Sequence, residues 1–220
     1  MSGKVEIAWP SMCDLIPEGT CGSASIEHFS VGQSEAGMSV LRAVLNGRPS
    51  SAVAPGRYAR LLVDGKVMMS DTPMERRSNA RMVEMSRGHV LIGGLGLGMV
   101  IWPLLAKKPD LHSLTILEIN PDVIRLVERH LPGGSRLTII QADVFKWRPS
   151  RRMPKFNTIY FDIWPDICDS NVAESGKLFR RYLDWASPHS WIGDWDAEVR
   201  LLDAMAARKC SIPGEHGRRS

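Results

Sequence analysis

Cysteine is scarce in this 220-residue chain: Cys13, Cys21, Cys168 and Cys210 are the only four, and they form no C-x-x-C pair. The six histidines stand apart from them. This spacing offers neither a zinc-ligand set nor a disulfide framework, so no metal is expected. The N-terminus lacks a basic start followed by an apolar core of about 7–15 residues, which excludes a secretory signal and makes the cytoplasm the expected compartment. No repeat recurs at a period of about 20–50 residues. Neither charge sign dominates: the net charge is +4 and the isoelectric point 9.0, a mild basicity shared by proteins that bind anions and by many that do not. Hydrophobic residues at 44% and charged residues at 24% exclude disordered and fibrous classes.

Only one stretch goes long without charge. Residues 89–106 contain no Asp, Glu, Lys or Arg over 18 positions, long enough to raise a transmembrane helix. Four glycines and Pro103 make that helix a poor one, so no membrane span is expected. The stretch opens HVLIGGLGLG: Val90, Leu91 and Ile92 read as a strand buried on both faces, and Gly94, Gly96 and Gly98 let the backbone turn tightly beside a ligand. G-x-G-x-G is one residue short of the dinucleotide fingerprint. Twenty residues after Gly98, the apolar run 115–117 delivers Glu118, where a carboxylate can accept from ribose hydroxyls. A nucleoside-bearing cofactor follows, S-adenosylmethionine or a relative ahead of NAD. A ligand-free glycine turn is the plainer alternative.

Along the chain, residues 1–24 show little periodicity and read as irregular, covering the entrance to a site. Ile26, His28 and Phe29 suggest a strand. Met38, Leu41, Val44 and Leu45 form a helical stripe over 34–45. Residues 57–70 read as a hairpin turning at Asp64-Gly65. Thr72-Pro73-Met74-Glu75 combines an N-cap, a first-turn proline and a capping-box glutamate, so a helix is expected to about Ser86, with Arg76, Arg77 and Arg81 on a solvated face. A helix starting near Gly98 would meet Pro103 in its second turn, which predicts a kink or a late start.

Strand 112–118, a helix opening at Asn120-Pro121-Asp122, strand 137–141, strand 157–162, helix 172–185, strand 190–193 and helix 196–208 follow. The last dozen residues are polar and read as frayed. Residues 146–155 carry five basic residues, read as an exposed loop ahead of a nucleic-acid patch. This alternation from residue 89 onward predicts an α/β fold with a parallel sheet and helices on both faces, preceded by a β-containing extension over 1–71, with the main domain over 72–220. Glu118, Asp143 and Asp162 then stand at carboxyl ends of successive strands, the rim where open parallel sheets hold ligands.

These segments resemble the S-adenosylmethionine-dependent methyltransferase superfamily and, within it, the spermidine-synthase-like branch. The resemblance covers roughly 58–193 and rests on LLVDGKVMMSD, GHVLIGGLGLG, LTILEINPDVI, IIQADVF and FNTIYFDIWPD. It implies a Rossmann-like sheet in which Gly94, Gly96 and Gly98 pass the aminoacyl end of the cofactor, Glu118 holds the ribose, Asp143 and Val144 recognise adenine, and Asp162 stands at the reacting centre. The departures are as specific. Leu97 occupies the place of an acid that aminopropyltransferases carry in the glycine turn, and Arg77-Ser78-Asn79 replaces their Tyr-His-Glu type segment. Their paired acids, three apart, become Asp162 and Asp166, four apart around Trp164 and Pro165. The chain ends soon after the fifth strand, so a C-terminally shortened sheet, or completion by a second copy in a homo-oligomer, is expected.

The reading that results is a methyltransferase acting on a small polar or cationic acceptor. Asp162 orients the acceptor and draws off its proton, Asp166 completes the acidic patch and Trp164 gives an apolar wall. The plainer reading makes Trp164 core and Asp166 a helix cap. The alternatives are aminopropyl transfer from decarboxylated S-adenosylmethionine and an adenosyl-ligand-binding protein without turnover.

Overall fold

The computed structural model describes residues 7–210. Most of the C-terminal dozen read as frayed therefore lies outside the described residues. In chain order the elements are α1 (Met12–Leu15), β1 (Gly19–Cys21), β2 (Ala24–Val31), α2 (Gln33–Leu45), β3 (Gly56–Val63), β4 (Lys66–Ser70), α3 (Pro73–Met85), β5 (Gly88–Gly93), α4 (Ile101–Lys107), β6 (Leu111–Glu118), α5 (Pro121–Val127), β7 (Leu137–Gln141), β8 (Phe156–Phe161), α6 (Asp169–Tyr182), β9 (Ala186–Asp194) and α7 (Trp195–Cys210).

Strands β1 to β4 form an antiparallel sheet in sequence order. The β3–β4 turn is the expected Asp64-Gly65 pair, with both residues at positive φ (50° and 75°), the backbone a two-residue hairpin with right-handed strand twist requires. The other five strands make a parallel sheet in the order β7-β6-β5-β8-β9, so β5 is central, with β6 and β7 laid out to one side of it and β8 and β9 to the other. That is the order of a Rossmann-like α/β sheet, with its crevice at the carboxyl ends beside the central strand.

Period-two alternation splits the core into two layers. Val90, Ile92, Ile116 and Tyr160 face one apolar cluster shared with α5 and the N-terminal sheet; Leu91, Leu117, Ile159 and Phe161 face another shared with α6. Asn120 caps α5 as expected, its side-chain oxygen accepting from Asp122 N–H at 2.8 Å. Helix α4 takes the late start, at Ile101. Pro103 then falls in the first turn, where a missing N–H leaves no bond unmade.

Two local expectations are corrected and a third is completed. The N-terminal segment is not irregular throughout: Met12 and Ile16 are fully buried, and Met12 N–H donates to the buried Asp71 carboxylate at 2.9 Å. One helical turn flanked by prolines is too short to leave a readable period. Helix α2 forms, but it buries Ala36 and Ala43 and leaves Met38, Leu41, Val44 and Leu45 exposed, so its apolar stripe is not core. At the start of α3, Thr72 makes no side-chain cap, and Glu75 turns inward, buried, instead of back to the helix end.

Among the described residues no helix is long and apolar enough to cross a membrane.

Candidate functional site

Parallel register brings the strand tips level. Gly93 pairs with Leu117 on β6 and with Phe161 on β8, Glu118 pairs with Gln141, and Phe161 pairs with Asp194. One residue further on, Gly94 N–H donates to the Leu117 carbonyl (2.8 Å), Ala142 N–H to that of Glu118 (2.9 Å) and Asp162 N–H to that of Gly93 (2.8 Å). Gly94, Gly96, Glu118, Asp143, Val144, Asp162 and Trp164 consequently line one cavity of 320 Å³, roofed by Leu61, Val63, Met68 and Met69 of the N-terminal hairpin. Its volume lies at the lower end of the ~300–1,000 Å³ typical of small-molecule sites.

Each of the three glycines answers to a specific neighbour. A Cβ on Gly94 would lie 2.0 Å from the Asp162 carbonyl oxygen, and one on Gly96 would lie 2.1 Å from Met69 Sδ. Both are at positive φ, so any side chain there is strained as well as crowded. Gly98 does not line the cavity. Its Cβ would meet Leu131 at 2.4 Å, so it serves the contact with the end of the α5 segment.

Glu118 is held by both oxygens. Leu95 N–H donates to Oε2 (2.9 Å) and Asn120 N–H to Oε1 (2.8 Å), which fixes the carboxylate at the cavity wall with its remaining lone pairs to offer. Asp143 accepts from Phe145 N–H (2.8 Å) and pairs with Lys146 (3.2 Å). Trp164 both lines the cavity and belongs to the α6-side apolar cluster, its indole N–H donating to Glu174 at 2.8 Å. Asp166 is not brought to the cavity: it is exposed, and it holds the start of α6 through its backbone, the carbonyl accepting from Asn171 at 2.7 Å, with no side-chain cap.

The acid that accompanies Asp162 is Glu75, which pattern reading assigned to a capping box. Its carboxyl is buried and accepts from Trp195 Nε1 at 3.0 Å; the same N–H also approaches Ser78 Oγ at 3.1 Å. Burial, with the Asp162 charge added, raises Glu75 to about 8. Asp162 opens onto the cavity yet is otherwise surrounded by protein. Burial raises it to about 7, a hydrogen bond from Asn79 opposing and the Asp194 charge adding to the shift. The Tyr160 phenol is raised well above its ordinary value, by burial first and then by Asp162, Glu198, Glu75 and Asp194. Its hydroxyl and Asn79 Oδ1 are buried without partners. Asp162 thus brings a carboxyl raised by burial to the cavity wall, while Glu75, Tyr160 and Asn79 are buried close to it but outside the cavity lining. Among the described residues no His, Cys, Asp and Glu group could hold a metal ion.

No protein-family model matches this sequence, and no curated protein does. Among solved structures the fold is similar to the CcbJ methyltransferase of Streptomyces caelestis (TM-score 0.42, 15% identity, 54% of this chain and 48% of that one). It is similar too to the N-methyltransferase NodS of Bradyrhizobium japonicum (0.41, 14%, 54% and 65%) and to the spermidine synthase of Thermotoga maritima (0.42, 16%, 67% and 47%). The chain spans about half the length of the first and third of these and about two thirds of the second.

Proposed function

We propose that this protein binds S-adenosylmethionine and transfers its methyl group to a small polar or cationic acceptor. The observation that carries the reading is the meeting of Gly94, Gly96, Glu118, Asp143 and Asp162, from four strand tips, on one cavity. The residues present fit an adenosyl ligand: two glycine positions admit no side chain, a buried carboxylate is fixed for ribose hydroxyls, and Asp143 with Val144 stands where an adenine edge would be read. When bound, that ligand supplies a methyl group on a sulfonium, already a good leaving group, so the protein's part is placement more than acid–base strength. Asp162 accepts a hydrogen bond from the acceptor and takes its proton, Glu75 keeps the local carboxyl charge from doubling, and Trp164 walls the apolar side. Asp166, exposed outside the cavity, takes no part.

Aminopropyl transfer from the decarboxylated donor is the second reading. The acids Asp143 and Asp162 on the cavity wall favour it; Leu97, fully buried in the apolar core where that chemistry calls for an acid, weighs against it. A protein that binds without turnover is the third.

Calorimetric titration with S-adenosylmethionine, its decarboxylated form, S-adenosylhomocysteine, methylthioadenosine and NAD tests the ligand, and label transfer from methyl-labelled donor to small amines tests the reaction. Binding of S-adenosylmethionine and its product with methyl transfer is expected. Tighter binding of the decarboxylated donor moves the assignment to aminopropyl transfer, adenosyl binding without product leaves the third reading, and selective binding of NAD ends all three.

A further inference from the structure

A second cavity, of 440 Å³, lies between the segment following β7 and the C-terminal half of α6, away from the strand tips. Arg148, Lys177, Arg180 and Arg181 line it with Trp147 and Trp185; Asp184 is the one acid. Among the described residues Arg148, Lys177 and Arg180 enter no ion pair, so their charge is not spent inside the protein. Arg181 does the holding: Nη2 donates to the carbonyls of Lys146 (2.7 Å) and Trp147 (3.1 Å), clamping the segment to α6, while its Nε is buried without a partner. The Trp147 ring lies nearly parallel to Tyr182 (22° between planes, centroids 6.5 Å), and Tyr182 is anchored by its hydroxyl to the Val144 carbonyl at 2.8 Å. The indole is therefore set in position before any ligand arrives.

We infer that this cavity binds one nucleotide of a single-stranded nucleic acid, its phosphate on Arg148, Lys177 and Arg180 and its base against Trp147. Unpaired cations ask for a phosphate, and a fixed indole asks for an unstacked π face, which a strand offers and a duplex does not. Arg151 and Arg152, both exposed on the same segment, extend the positive surface beyond the cavity to flanking phosphates, which distinguishes a strand from a free nucleotide. Read from sequence alone, residues 146–155 favour an exposed loop over a nucleic-acid patch; α6 adds the cations that make them a pocket. The site is separate from the reacting cavity, although one segment walls both, with residues 142–145 facing the first and 147–149 the second.

Fluorescence anisotropy of the full chain with a labelled single-stranded oligonucleotide of about twelve nucleotides, across a salt series, tests it. The double variant Lys177→Glu/Arg180→Glu, both positions exposed, should bind about tenfold more weakly and lower the slope of log affinity against log salt by about 1.4, two phosphate contacts' worth. A control of equal charge change elsewhere, Lys66→Glu/Arg129→Glu, should stay within about twofold, and Trp147→Leu should lose about tenfold with the slope unchanged. Absence of saturable binding, equal losses in both double variants, a Trp147→Leu variant that binds normally, or a duplex or nucleoside monophosphate held as tightly as the strand would each overturn the proposal. None of these readouts depends on methyl transfer.

Discussion

The indole nitrogen of Trp195 donates to the carboxyl of Glu75 at 3.0 Å, joining the first residue of α7 to the first turn of α3 across 120 positions of sequence. This contact turns a helix-start glutamate into a buried group beside Asp162, and it has a thermodynamic signature. Both carboxyls are raised above their ordinary values, Glu75 from 4.5 to about 8 and Asp162 from 3.8 to about 7. The folded chain therefore keeps protons that the unfolded chain has released. Their contribution to stability is fully present below about pH 4 and is lost as pH rises through the folded values. Thermal unfolding followed between about pH 5 and about pH 9 should show Tm falling for the wild type and a shallower fall for Glu75→Gln, which still accepts from Trp195 but has no charge to bury. Parallel slopes in the two proteins would remove Glu75 from this account.

Glu118 makes two backbone hydrogen bonds and also faces the cavity, so replacing it tests the cofactor assignment and the fold together. Glu118→Ala should weaken S-adenosylhomocysteine about 10–100-fold, the range set by losing hydrogen bonds to a charged group. Glu118→Gln keeps one accepting oxygen and replaces the other with a donor, so it should lose less than Glu118→Ala. Calorimetry reads both, and circular dichroism checks that the sheet persists. Unchanged affinity in a folded Glu118→Ala protein would put the ribose elsewhere.

Asp162 and Asp166 stand four residues apart at one strand end, both placed in the site by sequence, but only Asp162 lines the cavity. Asp162→Asn should lower kcat by about 10²–10⁴ while the donor affinity stays within about threefold, since a proton acceptor is lost and the cofactor wall is not. Activity of the wild type should rise with pH through about 7 as this carboxyl ionises, a limb absent from the variant's residual rate. Asp166→Asn, at an exposed position, should stay within about twofold of wild type. Equal losses at the two positions in steady-state assays would contradict the separation.

What was readable in the sequence was what is local and periodic. Apolar runs ending in acids at Glu118 and Asp162 announce parallel strands because register, once fixed by burial on both faces, puts every strand tip on one rim. Asp64-Gly65 announces its hairpin because few residues tolerate that backbone. Glu75 was unreadable for the opposite reason: Thr72-Pro73-Met74-Glu75 is a complete local instruction, and only a partner 120 residues away competes with it. Gly98 belonged by spacing to the ligand turn, but Leu131, outside any local window, is what excludes a side chain there. The stripe on α2 marked the helix but not its facing, because periodicity reports a face without saying which neighbour covers it.

Met69 had no signal in the sequence beyond membership of the hairpin, yet its thioether packs directly against the glycine turn at Gly96. Leu97 N–H donates to its sulfur at 3.0 Å, and Gly96 leaves room for it. That N–H is one of the donors a carboxylate would seek in this turn, and a flexible methionine is a side chain that can give way. Met69→Ala should therefore strengthen ligands bearing the amino-acid carboxylate relative to those without it. S-adenosylhomocysteine should gain about tenfold over methylthioadenosine, the value of one hydrogen bond to a charged group. Paired titrations of the two ligands measure the ratio directly, and the comparison cancels any general enlargement of the cavity. An equal gain for both would mean that the thioether only fills space, and that the aminoacyl end of the ligand lies away from the glycine turn.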